Sequence, residues 1–179
     1  MKLLIIGHGR HGKDTIAAMI TNHIGLTKTN SSQYACDTFI YEELKGKYGY
    51  KNSEECFKDR YNHRKEWYNL IADYCKEDPS RLAKSILEKV DMYIGMRAKD
   101  QIEDALSLKL FDYIVGVYDP RKPLEGDSFG FNLFDYADFV IPNSGTLEDL
   151  EKRVLKVIKP IIIRRYLSGR IIHPETYQK

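Results

Sequence analysis

The chain has little of several things. It holds three cysteines in 179 residues, Cys36, Cys56 and Cys75. An odd number at wide spacings, with no C-x-x-C, argues against both a disulfide framework and a zinc site. Net charge is nearly absent: 28 Lys and Arg stand against 26 Asp and Glu, leaving +2. No overall basic signature for nucleic acid results, although a local patch is compatible with that balance. No apolar run approaches the length of a membrane span. Residues 1–7 read as a strand running into a glycine-rich turn, not as a signal peptide. No internal repeat or low-complexity linker interrupts the chain, so one domain over 1–179 is expected. A reducing, cytoplasmic location is the expectation, and no membrane partner. The 42% of hydrophobic residues is enough for a sizeable core.

What the chain does have is concentrated near its start, at Gly7-His8-Gly9-Arg10-His11-Gly12-Lys13-Asp14-Thr15. The apolar Leu3-Leu4-Ile5-Ile6 before it reads as a buried strand. Ile16-Ala17-Ala18-Met19-Ile20 after it reads as helix. Strand, glycine-rich turn, then Gly-Lys opening a helix is the setting of a phosphate-binding P-loop. Glycines let the backbone curl so that successive N–H groups face one concavity. The helix N-terminus adds partial positive charge and Lys13 a full one. The pattern G-x-x-x-x-G-K-[ST] holds at Gly7, Gly12 and Lys13 and departs at Asp14. Either Asp14 takes over the metal-binding role of the usual hydroxyl, directly or through water, or Thr15 supplies that hydroxyl.

Further along, Gly25 is a helix stop. Residues 26–32 suit a short strand or an extended loop. Asn30-Ser31-Ser32 is an N-cap cluster for a helix reaching about Tyr48. Ser53-Glu54-Glu55 starts another, with Trp67, Leu70, Ile71 and Tyr74 as its core stripe. The same helix is expected to carry Arg60 and Arg64 four apart on one face. That face is either a solvated basic edge or, beside a P-loop, a pair of forks for phosphate oxygens. Asp78-Pro79 reads as an N-cap with proline at the first helical position.

Met92 to Met96 reads as a strand ending at Arg97, and a charge at that end of an α/β strand sits where ligands bind. Residues 98–110 read as an amphipathic helix with Ile102, Ala105 and Leu106 inward, and 111–117 as a strand. The following loop offers Arg121 and Lys122 as lid-side cations for a transferring phosphoryl group, or as an exposed basic turn. Residues 138–142 form the last strand, and Asn143-Ser144-Gly145 turn into a Thr146-x-x-Asp149 capping box. Pro160 kinks or ends the helix that follows. The tail from Arg164 lies on a partner subunit in a homodimer, or frays.

Strands alternating with helices after an N-terminal P-loop give a parallel α/β sheet. At this level the residues are familiar. Gly12-Lys13-Asp14-Thr15 resembles the P-loop variant of bacteriophage deoxynucleoside monophosphate kinases. Ile94-Gly95-Met96-Arg97, with Glu103 beyond, resembles their second block. Ala137-Asp138-Phe139-Val140-Ile141-Pro142-Asn143-Ser144-Gly145-Thr146-Leu147 resembles the last block of that family and of dephospho-coenzyme A kinases. The resemblance implies a P-loop NTPase three-layer sandwich, with a helical acceptor-binding insertion at about 33–90 and a short lid-like loop at 118–130. It implies transfer of the γ-phosphoryl of ATP, with Mg²⁺, to a deoxynucleoside monophosphate.

Gly7, Gly9, Arg10, His11, Gly12 and Lys13 would hold the phosphates, Asp14 and Thr15 the metal, and Asn143 would lie near the adenine. Arg60, Arg64 and Arg97 would bind acceptor or migrating phosphoryl, with Arg121 closing from the lid and Ser31, Ser32 and Asp37 lining the acceptor side. No Walker-B aspartate ends the 92–96 strand. Related phage kinases acting on hydroxymethyluracil in DNA are the alternative, with modified DNA as partner and Asp37 as base for the hydroxyl. A P-loop regulatory module without an acceptor is the second alternative.

Overall fold

Apolar residues alternate sides along the first strand, and that alternation builds the whole molecule. The computed structural model describes residues 1–124 and 129–167. Strand β1 (Leu3–Ile6) is wholly buried. Leu3 and Ile5 join one core with Ile16 and Ile20, and Leu4 and Ile6 join another with Leu82, Ile86 and Ile102. A strand buried on both faces is what a sheet covered by helices on both sides requires.

The described elements follow in order: α1 (Lys13–Ile24), β2 (Lys28–Asn30), α2 (Ser31–Ala35), a π-helical segment (Cys36–Ile40), α3 (Tyr41–Tyr48), α4 (Ser53–Asp59), α5 (Arg64–Tyr74), α6 (Arg81–Leu87), β3 (Met92–Ile94), α7 (Lys99–Ser107), β4 (Tyr113–Tyr118), a 3₁₀ turn (Leu133–Asp135), β5 (Phe139–Pro142) and α8 (Leu147–Leu167). The sheet order is β2-β3-β1-β4-β5. Every pairing is parallel, with Ile5 opposite Ile94 on one side and Val115 on the other. The carboxyl ends of all five described strands therefore lie along one edge. Helices α1 and α8 cover one face, where Leu150, Val154 and Ile158 meet Ile20 and Val117. Helices α6 and α7 cover the other. The three-layer α/β architecture expected from the sequence is present.

The helical region between β2 and β3 has its own small core of Ala35, Cys36, Ile40, Leu44, Cys56 and Trp67. Burial pushes the Cys36 thiol up to about 12, with the neighbouring Cys56 adding to the effect. Both are packing residues, in keeping with their burial.

Local signals set most boundaries. The Asn30 side chain accepts the Gln33 N–H at 2.7 Å to start α2. Gly25 closes α1 in the left-handed region. Thr146 and Asp149 form the capping box, with the Thr146 Oγ1 accepting the Asp149 N–H and the carboxylate accepting the Thr146 N–H, both at 3.1 Å.

Three expectations need correction and a fourth is narrowed. Arg60 and Arg64 do not share a helix: α4 stops at Asp59 and α5 starts at Arg64. The Asp59 carboxylate takes the Asn62 amide, the His63 ring and the Tyr50 hydroxyl, and so fixes a turn between the helices. Helix α6 starts beyond Asp78-Pro79, after Ser80, because Asp78 spends its carboxylate on the Ser80 hydroxyl and Lys84. Leu106 is exposed, because α7 ends one residue later and turns its last residues outward. Of the two outcomes expected at Pro160, a kink or an end, the end is excluded, because α8 continues to Leu167. The tail beyond residue 167 and positions 125–128 of the expected lid lie outside the described residues. Among the described residues no helix is long and apolar enough to cross a membrane.

Candidate active site

The strand ends converge on the loop between β1 and α1. Gly7 leaves β1 at φ +149°, so close to β4 that a Cβ would stand 2.4 Å from the Val117 carbonyl oxygen. Gly12 caps α1 at φ +93°, and a Cβ there would meet the Asn143 amide nitrogen at 2.3 Å. These two positions need glycine, and they are the two glycines of the motif. Between them Arg10 holds φ +64°, a strained value for an arginine. Lys13, the first residue of α1, is buried. Its Nζ donates to the Gly7 carbonyl at 2.8 Å and to the His8 carbonyl at 2.7 Å. The ammonium thus lies across the mouth of the loop, on two neutral acceptors that an anion can outcompete. Asp14 and Thr15 are exposed in the first turn of α1.

The outer side of the loop is clasped by two other segments. His11 is fully buried. Its Nδ1 accepts the Asp119 N–H at 3.0 Å, so its Nε2 carries the hydrogen that faces the Pro123 carbonyl at 3.2 Å. The Asn143 Nδ2 donates to the His11 carbonyl at 3.0 Å. The Lys122 ammonium holds the Arg10 carbonyl. Arg121 grips Asp119 with two nitrogens, at 2.9 and 3.0 Å, and donates to the Asn143 carbonyl at 3.0 Å. Arg121 and Lys122, read from the sequence as lid-side cations, are thus both engaged in the loop's support. Rings continue the contact, since His8 packs on Phe129 at 4.4 Å and His11 lies 5.9 Å from Tyr118.

The Arg121 guanidinium holds the Asp119 carboxyl down to about 2, against an ordinary value near 4. A depressed carboxylate stabilises the fold above its unfolded value, and that contribution is lost as pH falls through the folded value. Asp119→Asn is therefore expected to be less stable near neutral pH. It should also lack the part of the wild-type acid destabilisation that falls between about pH 4 and about pH 2. Urea midpoints compared at those pH values check both, and equal midpoints at neutral pH would contradict the first.

On the other side of β1, Gly95 leaves β3 at φ +100° beside Ser31, whose hydroxyl donates to the Gly95 carbonyl at 3.3 Å. The Arg97 carbonyl accepts the Gly130 N–H at 2.8 Å. Burial pushes the Tyr93 phenol up, while the Ser31 hydroxyl and the charge of Arg97 oppose that shift. Ser31, Gly95 and Arg97 thus stand together at the β2 and β3 ends, next to the P-loop strand. Ser32 follows in the first turn of α2, and Asp37 is exposed in the π-helical segment, taking both bonds of the Gln33 amide. Arg60 sits further into the helical region, between Phe57 and Tyr61, with its nitrogens on the Phe57 carbonyl and the Tyr61 hydroxyl. Arg64 lies 5.8 Å over the Tyr61 ring. The described contacts of Arg60 are internal to the helical region, whereas Arg97 belongs to the strand-end cluster.

Asp119 and Phe129 are the site residues that the sequence reading missed. Asp119 had a usable signal, a carboxylate one residue past an apolar strand. Phe129 had none. Among the described residues no cluster of three or more His, Cys, Asp or Glu side chains could hold a metal ion. Asp14 and Thr15, exposed oxygen donors in the first turn of α1 beside the glycine-rich loop, fit Mg²⁺, which is usually held by a few protein oxygens, phosphates and water.

No protein-family model and no curated protein matches the chain. Solved structures do. The chain is similar to the dephospho-CoA kinase from Campylobacter jejuni, at 16% identity and TM-score 0.50, over 96% of this chain and 100% of that one. It is also similar to the shikimate kinase from Aquifex aeolicus, at 17% identity and TM-score 0.43, over 91% and 99%. At these identities the likeness to the dephospho-CoA kinase is one of fold: a five-stranded parallel α/β sheet flanked by helices.

Proposed function

We propose that the chain is an ATP-dependent phosphotransferase of the nucleotide-kinase type, passing the γ-phosphoryl of ATP to a deoxynucleoside monophosphate. The observation that carries this is the buried Lys13 ammonium, lying on the Gly7 and His8 carbonyls at the mouth of a glycine-walled loop that opens a helix. That arrangement supports polyphosphate binding, and its place on a parallel sheet shared with a kinase supports a kinase donor site.

In this reading catalysis is positioning plus neutralisation of charge. Lys13 exchanges two neutral acceptors for the β- and γ-phosphates. Mg²⁺, held through Asp14 or Thr15, supplies further neutralisation when bound with the nucleotide. Arg97, at the end of β3 with Ser31 beside it, binds the acceptor or the migrating phosphoryl. Arg60 and Arg64 are further cations for the acceptor from the helical region, Arg60 only on leaving the Phe57 carbonyl and the Tyr61 hydroxyl. A monophosphate acceptor is already ionised and needs no general base. Labelled γ-phosphate offered with each deoxynucleoside monophosphate should appear in a diphosphate in step with ADP. Arg97→Ala should abolish that transfer and spare ATP binding. Turnover that ignores every acceptor and survives Arg97→Ala would instead favour a regulatory nucleotide-binding module.

One observation favours a second reading, a kinase acting on hydroxymethyluracil in DNA. Asp37 is an exposed carboxylate in a π-helical segment, and such segments recur at functional sites. A hydroxyl acceptor would use it as base. Label in hydroxymethyluracil-containing DNA, lost in Asp37→Asn, is the result that would select this reading.

A further inference from the structure

We propose that Asn143 and Lys122 are positioning residues that aim the amides of the phosphate-binding loop, an inference that rests on the phosphate-binding reading above. A peptide unit is planar and trans, so its C=O and N–H point in opposite directions. Asn143 draws the His11 carbonyl outward, with Nδ2 to oxygen at 3.0 Å. The N–H of the same peptide, that of Gly12, is thereby turned away from Asn143 and toward the N-terminal mouth of α1. Lys122 draws the Arg10 carbonyl outward in the same sense, which turns the His11 N–H inward. That N–H reaches the His8 carbonyl only at 3.4 Å, across the loop.

Two further observations point the same way. Arg10 holds a left-handed φ of +64° with a bulky side chain. A non-glycine residue keeps such a conformation only where its surroundings impose it, and Lys122 on its own carbonyl is such a constraint. The two clasping residues are themselves held. The Asp119–Arg121 pair fixes the Asn143 carbonyl through the Arg121 Nη2 at 3.0 Å and lies 3.8 Å from the Lys122 ammonium. On α8, Arg153 braces the same turn from below by donating to the Ser144 carbonyl at 2.6 Å. A side-chain donor from outside the loop, together with the freedom of Gly12, therefore fixes which way each of two peptides faces.

The test uses tripolyphosphate, which has phosphates and no base, beside ATP, and reads both by calorimetry on the full chain. Wild type should bind both. Asn143→Ala and Lys122→Ala should each weaken tripolyphosphate by roughly tenfold, the worth of one hydrogen bond. Asn143→Asp, which presents an acceptor to a carbonyl, should do no better than alanine, and Lys122→Arg, which keeps a donor, should recover affinity. The Gly12 amide resonance should move on adding tripolyphosphate to wild type, and move less in Asn143→Ala. Lys122 is exposed, so its variants report even where an Asn143 variant folds poorly. Wild-type affinity for tripolyphosphate in both alanine variants, with Lys13→Ala still defective, would overturn the proposal and leave the P-loop reading standing. Loss of ATP but not tripolyphosphate affinity in Asn143→Ala would overturn it in favour of a base contact. Failure of wild type itself to bind either ligand would overturn both readings.

Discussion

Lys13→Ala is expected to reduce phosphoryl transfer by about a hundredfold to a thousandfold while leaving the protein folded. The ammonium is a full positive charge at the loop's mouth, buried and held by two carbonyls. In a site shielded from water, each charge-assisted bond to phosphate is worth more than its counterpart on the surface. ATP affinity should also weaken, roughly ten- to a hundredfold, if one such bond is lost from the ground state as well. The Gly7 and His8 carbonyls lose this donor, so a stability loss of about 1–3 kcal/mol is expected while the protein stays folded. Lys13→Arg should fail to rescue, since a planar guanidinium does not fit where an ammonium reaches two carbonyls at once. Transfer rates and thermal melting of the three proteins check this. Full transfer by the alanine variant would place the chemistry elsewhere.

Gly7→Ala is the second large effect, and it falls on stability. A Cβ there would stand 2.4 Å from the Val117 oxygen and 3.3 Å from its carbonyl carbon, both backbone atoms of the neighbouring strand. Backbone cannot swing aside as a side chain can, so β1 and β4 must part where Ile6 pairs with Gly116. The φ of +149° adds strain of its own. A loss of about 3 kcal/mol or more is expected from clash and strain together. Gly46→Ala is the control. Gly46 lies inside α3 at an ordinary helical φ with nothing within 4 Å of its Cβ direction. It should gain about 0.5–1 kcal/mol from the smaller entropy loss of alanine. Denaturant midpoints of the two variants should therefore move in opposite directions, and parallel shifts would contradict the account.

How much of this could be read in the sequence depends on how local each cause is. The β1–loop–α1 unit was legible because every determinant lies within twenty residues: a doubly buried strand, two obligatory glycines and a lysine opening a helix. The Thr146–Asp149 capping box was legible for the same reason. The break between Arg60 and Arg64 was not. Its cause is the Asp59 carboxylate collecting Tyr50 from nine residues away, together with Asn62 and His63. The roles of Arg121 and Lys122 were not legible either. Both stand in a charged loop that looks free, and both are committed by partners at Asp119, Asn143 and Arg10, which only the folded sheet brings together. Arg97 falls between these cases. Its place at a strand end could be read from the apolar run before it, but its surroundings come from elsewhere: Gly130, beyond β4, donates to its carbonyl, and Ser31, at the start of α2, bonds the neighbouring Gly95.

The most direct test of the central claim is a structure of the protein with a non-hydrolysable ATP analogue. The account predicts its phosphates within hydrogen-bond distance of the Gly12 and Lys13 amides, with the Lys13 ammonium drawn off the Gly7 and His8 carbonyls onto the β- and γ-phosphates. An analogue bound away from this loop, or Lys13 still resting on both carbonyls beneath it, would contradict the account.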